Sequence, residues 1–143
     1  MTSSNPTISC QCGAIAFRAP TPKPLQVYCC HCTECQKQSA SAFGVSAIFP
    51  AQDHWPPLDQ LQPHLGLWTR PTDNSNTLRC YFCKQCGVRI FHRSIFPDGK
   101  AKDTVSVKGG CLEGLSLQGA RHIYTRSALV AVPEGSDPGR PSF

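Results

Sequence analysis

Apolar and polar residues alternate with a period of two over short stretches of this chain. Ile15 and Phe17 bracket Ala16, Val88 and Ile90 bracket Arg89, and Val105 and Val107 bracket Ser106. Successive side chains of a strand point to opposite faces, so this pattern sets one face on a core and the other toward solvent. Further strands are predicted at 25–30, 42–49, 65–70, 77–82 and 121–131, with breaks at the Pro/Gly/Asn/Asp clusters 71–76 and 97–99. Only residues 33–39 read as helical, for a turn or two. The pattern predicts a mostly β, antiparallel domain with short helical turns. The stretch 50–63 carries four prolines and no strand pattern. It reads either as a surface excursion bordering a binding site or as a padded connection.

Composition narrows this picture. A chain of 143 residues fits one domain, and 13 prolines spread along it exclude a helical bundle, because proline removes an amide donor and clashes with the preceding turn. Charged residues make up 16%, too few for a disordered charged chain. Residues 1–7 read as a loose start, 8–132 as the domain, and 133–143 as a flexible or surface-draped tail. The net charge of +5 is scattered, which favours anionic small molecules. No basic stripe or aromatic platform points to a nucleic-acid partner. No run of eighteen apolar residues could span a membrane, and the first ten residues lack signal-peptide features, so a cytoplasmic location is expected.

The ten cysteines supply the candidate chemistry. In such a compartment they are expected to hold metal and not disulfides. Cys83-Lys-Gln-Cys86-Gly87 brings two sulfurs together in a tight turn, and its glycine can take the positive φ that ends the turn. Cys10-Gln-Cys12-Gly13 places two side chains on one face of an extended segment. Pairing the two half-sites gives a closed four-cysteine zinc site, which contributes directly to folding. The middle cluster, Cys30-His31-Cys32-Thr-Glu-Cys35, offers three sulfurs within six residues. Three ligands with an open fourth position make a reactive zinc, whereas a fourth thiol makes a closed one. Cys80, Cys29 and Cys111 are the possible fillers, Cys80 foremost because it lies near the Cys83 turn; Cys29 should point away from Cys30 if that segment is extended. Spacing leaves both arrangements open.

With these three clusters in this order, the chain resembles the glutathione-dependent formaldehyde-activating enzyme family (CENP-V/GFA) over about residues 8–132. The likeness is carried by Cys10-Gln-Cys12-Gly13, Cys30-His31-Cys32-Thr-Glu-Cys35-Gln-Lys37, Phe82-Cys83-Lys-Gln-Cys86-Gly87 and His122-Ile123-Tyr124. The resemblance implies an Mss4-like antiparallel β fold with two zinc ions per chain. Cys10, Cys12, Cys83 and Cys86 match the structural zinc site; Cys30, Cys32 and Cys35 match the catalytic one, which implies the open arrangement. It also implies a carbon–sulfur lyase with glutathione as co-substrate, forming or cleaving S-(hydroxymethyl)glutathione or a related thiol adduct. Where the family usually shows a Ser-Gly pair, this run reads Gln38-Ser39-Ala40-Ser41-Ala42-Phe43-Gly44, a change expected to reshape the pocket floor. Two rival readings stand beside this one: a zinc enzyme acting on another small metabolite, and a non-catalytic zinc-stabilised binding module.

A zinc held by three thiolates carries a net charge of −1 and suits binding a thiolate better than making a strong hydroxide. Replacing Cys32 by Ser should therefore abolish turnover and leave the fold intact. No proton donor is identifiable in the sequence. His31 should turn away from the metal and pack or hydrogen-bond, and His122 reads as structural. His54 with Asp53 reads as a solvated loop pair, and His64 and His92 have no ligand spacing. Trp55 and Trp68 read as core or as a pocket wall. Two glutathione carboxylates would require a basic rim. Lys37, Arg79, Arg89 and Arg93 lie nearest the clusters in sequence and read as solvent-facing.

Overall fold

Two sheets organise the computed structural model, which describes residues 5–139. Strands β1 (Thr7–Ser9) and β2 (Ala16–Arg18) form an antiparallel hairpin. The second sheet takes β3 (Gln26–Cys30), β4 (Gly44–Pro50), β5 (Leu65–Pro71), β6 (Thr77–Cys83), β7 (Arg89–Ile95), β8 (Thr104–Lys108) and β9 (Arg121–Ile123). Its spatial order is β5-β6-β7-β8-β4-β3-β9, antiparallel throughout except for β3 with β9. Two short helices complete the described residues, α1 (Thr33–Ser39) and α2 (Leu58–Leu61), with three 3-10 turns. The fold is mostly β, as the alternation predicts. No described helix is long and apolar enough to cross a membrane.

The large sheet has two unlike faces. One carries Ala47, Phe49, Phe91, Val105 and Val107, which pack with Ile8, Ile15 and Phe17 of the hairpin and with Leu112. Phe91 meets Phe17 edge-on at 5.9 Å and stacks on Tyr81 at 4.6 Å. Each such buried side chain stabilises the fold by about 1.5–3 kcal/mol. Cross-strand partners share a face, so the opposite side can be read from the register. One row runs Trp68, Cys80, His92, Ser106, Ile48, and a neighbouring row runs Lys108, Ser46, Tyr28. Alternation places this second face toward solvent. Here it is instead the floor of a cleft, lined also by Glu34, Cys35, Lys37 and Gln38 of α1.

Three expectations are corrected. The strand expected at 121–131 ends at Ile123, because Tyr124 turns into the left-handed region (φ 53°) and a 3-10 turn follows at Thr125–Ser127. The stretch 50–63 contains α2, whose first helical position follows Pro57, where a fixed φ starts a helix readily. That stretch also packs on the core: Trp55 lies 6.2 Å from Phe17 and 6.1 Å from Phe49, its Nε1–H donates to the Arg18 carbonyl at 2.7 Å, and Leu61 is buried. Finally, β1 begins at Thr7, within the segment expected to be loose.

The hairpin is joined to the large sheet by an Ile8–Leu112 bridge and by the Thr7 N–H donating to Glu113 Oε1 at 3.0 Å. In the expected tail, 133–139 returns to the sheet. The Asp137 N–H donates to the His122 carbonyl, and the Thr125 N–H to the Asp137 carbonyl, both at 3.1 Å. Residues 1–4 of the expected loose start and 140–143 of the expected tail lie outside the described residues.

Candidate metal centres and the adjoining cleft

Both half-sites of the four-cysteine cluster are turns of similar design. In the hairpin, the Gly13 N–H returns to the Cys10 carbonyl at 3.3 Å; in the β6–β7 turn, the Gly87 N–H returns to the Cys83 carbonyl at 2.8 Å. Gly13 (φ 82°) and Gly87 (φ 79°) take the left-handed conformation that side chains resist. These turns bring Cys10, Cys12, Cys83 and Cys86 together with all four sulfurs within 4.8 Å of one another. Cys12 Sγ lies 3.7 Å from both Cys10 Sγ and Cys83 Sγ. A tetrahedral ion with metal–sulfur bonds of about 2.3 Å requires edges of about 3.8 Å, so this donor set fits one. The Val88 N–H and then the Cys12 N–H donate toward Cys86 and hold its thiol down to about 6, which favours a thiolate ligand.

The second cluster forms where β3 enters α1. Cys30, Cys32 and Cys35 also lie with their sulfurs within 4.8 Å of one another. Cys32 is the N-cap of α1, and its sulfur accepts from the Cys35 N–H at 3.3 Å. Hydrogen bonds from Cys30 and then Cys35 hold the Cys32 thiol well below the ordinary range. The same bonds, from Cys32 first, push Cys30 up. Cys32 is the sulfur of this cluster whose thiolate is favoured, and three sulfurs so placed could hold a cation.

Among the described residues no fourth cysteine, histidine or carboxylate joins this cluster. Cys29 is paired with Val45 and His122, one step out of phase with Cys30, and is buried on the other face. Cys80 is buried beneath the cleft in the row between Trp68 and His92. Cys111 donates to the Arg89 carbonyl at 3.7 Å, and burial pushes its thiol up to about 11. The expectation that Cys80 is the foremost filler rests on its closeness in sequence to Cys83. Strand direction carries it elsewhere.

A polar scaffold holds the three-thiol cluster. His31 turns away from the sulfurs and is fully buried, its Nε2 3.0 Å from His122 Nδ1 and its ring 5.0 Å from that of Phe43. Gln36 Nε2 donates at 2.9 Å to both the His31 and the Ser127 carbonyls, fastening α1 to the segment after β9. Helix α1 closes at Ala40, which adopts φ 50° and ψ 42° where a glycine is usual. The chain thus makes the left-handed cap despite lacking that glycine, and the helix ends in the ordinary way. Gly44 faces Cys35, where a Cβ would come within 3.2 Å of Cys35 Cβ and 2.9 Å of Gln38 Nε2.

Beside the sulfurs opens a cleft of about 480 Å³, which continues past Cys32 toward Tyr124 and the 71–76 turn. Four cations line it, Lys37, Arg70, Arg89 and Lys108, against one carboxylate, Glu34. Lys37 and Arg89 were expected to face solvent and instead border the cleft. A bulge between Tyr81 and Phe82 resets the register so that Arg89 pairs with Phe82, and its guanidinium lies 5.1 Å from the centre of the half-exposed Trp68 ring. Arg79 stays exposed on β6, and Arg93 donates to the Lys102 carbonyl at 3.1 Å; neither lines the cleft. His54 and His64 are exposed, outside both clusters, and no residue of 50–63 lines this cleft.

Three lining residues, Arg70, His92 and Lys108, carry no mark in the sequence beyond their off-core strand phase. His92 is buried, accepts from Arg89 at 3.4 Å, and is held neutral down to about 2 by burial and then by Lys108, Arg89 and Arg70. Burial lowers the Lys108 amine below its ordinary value, against the pull of Cys35 and Cys30. Such a cleft can receive a small anion next to three sulfurs. A family model described as glutathione-dependent formaldehyde-activating enzyme matches residues 5–127. No curated protein is significantly similar to the chain in sequence.

Proposed function

The chain belongs to the glutathione-dependent formaldehyde-activating enzyme family, and from that premise we propose that it is a zinc-dependent carbon–sulfur lyase. It forms or cleaves S-(hydroxymethyl)glutathione or a related thiol adduct. In this reading Cys10, Cys12, Cys83 and Cys86 hold a structural zinc, and Cys30, Cys32 and Cys35 hold a second one. What carries it is the contrast between the clusters: four sulfurs in one, three in the other, with the three beside a cationic cleft. A closed cluster staples a fold, whereas an open one beside a cleft leaves a position for a reacting group. The same contrast favours an enzyme over a non-catalytic module.

Zinc bound at the three-thiol cluster would supply Lewis acidity that stabilises a substrate thiolate. The chain's own residues do the rest. Arg70, Arg89 and Lys37 bind the carboxylates of the tripeptide thiol, an Arg–carboxylate contact being charge-assisted and directional. Trp68 walls the cleft and limits water beside the sulfur, and its face holds the Arg89 guanidinium in place. Neutral His92 accepts from Arg89 and so fixes the direction of that fork.

Exchange-type proton NMR of formaldehyde with glutathione tests this, comparing wild-type protein with Cys32→Ser. Serine is a good N-cap, so the variant keeps the start of α1 while losing one sulfur. The expected result is acceleration by the wild type that disappears in the variant. Acceleration undiminished in Cys32→Ser, or none from zinc-loaded wild type, overturns the assignment.

A further inference from the structure

Lys108 ends β8 on the cleft face of the sheet, paired across to Ser46 of β4. It is 9% exposed, the most deeply buried charged residue of the described chain. Its Nζ donates to Ser46 Oγ at 3.2 Å and forms no ion pair with a carboxylate among the described residues. An ammonium sunk this far without a carboxylate is a costly arrangement that packing alone does not require, since a methionine would fill the same volume. Two further observations say where it is used. Lys108 lines the same cleft as Cys30 and Cys35. Of the other cations on that floor, Arg89 lies 5.1 Å from the Trp68 ring, and Arg70 lines with Trp68 the continuation of the cleft toward the 71–76 turn.

We propose that Lys108 is a catalytic residue whose Nζ donates to the carbonyl oxygen of the aldehyde as the thiol adds to it. This rests on the lyase reading above. The step balances as a simple addition. The sulfur–carbon bond forms from the thiolate lone pair, the carbon–oxygen π pair moves onto oxygen, and that oxygen becomes an alkoxide and then a hydroxyl. The proton lost by the thiol and the one gained by oxygen both exchange with solvent, and nothing is oxidised or reduced. Lys108 stabilises the charge that develops on oxygen, and Ser46 positions its amine. In the reverse direction the same contact holds the adduct's hydroxyl oxygen as the carbon–sulfur bond breaks. A donor placed before the reaction begins costs no reorganisation when charge appears, and loss of one such donor lowers kcat by about 100-fold or more.

The test uses the zinc-loaded full chain, with the NMR exchange assay run on wild type, Lys108→Met and Ser46→Ala. For Lys108→Met the expected result is a kcat at least about 100-fold lower, a KM for glutathione within about threefold of wild type, and an unchanged zinc content. Ser46→Ala alters one half-buried hydroxyl and provides the second test if Lys108→Met fails to fold; a several-fold lower kcat at unchanged KM is expected. Three results overturn the proposal: an unchanged kcat in Lys108→Met (or in Ser46→Ala, should Lys108→Met fail to fold), a rise in KM alone, which makes Lys108 a carboxylate-binding residue, or loss of zinc in step with activity, which makes it a counter-ion to the thiolates. Inactive wild type overturns the lyase reading, and this proposal with it. Active wild type with an equally active Lys108→Met overturns only the role of Lys108.

Discussion

Acidification should destabilise this protein through His92, and the size of the effect follows from where that ring sits. His92 is buried between its cross-strand partners Cys80 and Ser106 with Arg89 Nη1 3.4 Å from its Nε2, and its folded value is about 2 against 6.5 for a free histidine. The unfolded chain binds a proton that the folded chain refuses. The contribution is therefore complete above pH 6.5 and is lost as the pH falls from there toward 2. Between pH 7.5 and 5.5 the difference amounts to about 1.4 kcal/mol, one decade of proton binding below the unfolded value. With a urea m-value of about 2 kcal/mol/M for a domain of this size, the midpoint moves by about 0.7 M. The perturbation is His92→Gln, whose side-chain oxygen can still accept from Arg89 but cannot titrate. Urea unfolding of wild type and variant at both pH values, at fixed free zinc, isolates this group. The acid sensitivity of the thiols and of His31 is common to both proteins and cancels. Wild type should lose about 1.4 kcal/mol more than the variant over this range. Parallel losses in the two proteins would refute the reasoning and place a counter-charge beside the ring.

Three further outcomes are expected. Ala40→Gly relieves the left-handed cap of α1 and should raise stability by about 0.5–1 kcal/mol, visible as a melting point about 2–4 °C higher; a lower one contradicts it. Gly44→Ala pushes a Cβ against Cys35 and Gln38, so the three-thiol cluster should yield its metal to a chelator that wild type resists, while the four-cysteine site keeps its own. Cys83→Ser removes a buried ligand that joins the hairpin to β6 and should abolish the cooperative thermal transition, whereas Cys32→Ser retains it.

What was legible in the sequence was local. The Cys10–Gly13 and Cys83–Gly87 turns, the Cys30–Cys35 entry into α1, and the outward turn of His31 all follow from spacings of a few residues. A few φ values and one helical turn decide them. Residues set by register were harder to read. The Val105-Ser106-Val107-Lys108 alternation does put Lys108 off the core, but alternation cannot say whether the off-core face meets water or a cleft. That depends on what else lines that face, here Glu34, Cys35, Lys37 and Gln38 of α1. The bulge that brings Arg89 over Trp68 is likewise a property of two strands together, and neither sequence alone announces it. The parallel pairing of β3 with β9 left still less trace, since three residues carry it.

That pairing also fixes the order in which a growing chain can complete its three-thiol cluster. Cys30, Cys32 and Cys35 emerge from the ribosome early, yet the supports of their segment come from the far end. The His31 N–H donates to the Ile123 carbonyl at 3.0 Å, the His31 ring meets His122, and Gln36 reaches Ser127. Closing that span requires some ninety residues of intervening chain, a separation that delays folding more than it lowers stability. During synthesis three neighbouring thiols therefore stay unlocked until the last strand arrives. A nascent chain halted before residue 121 carries them without β9 to hold their segment, so the ordering of this cluster is coupled to the completion of translation.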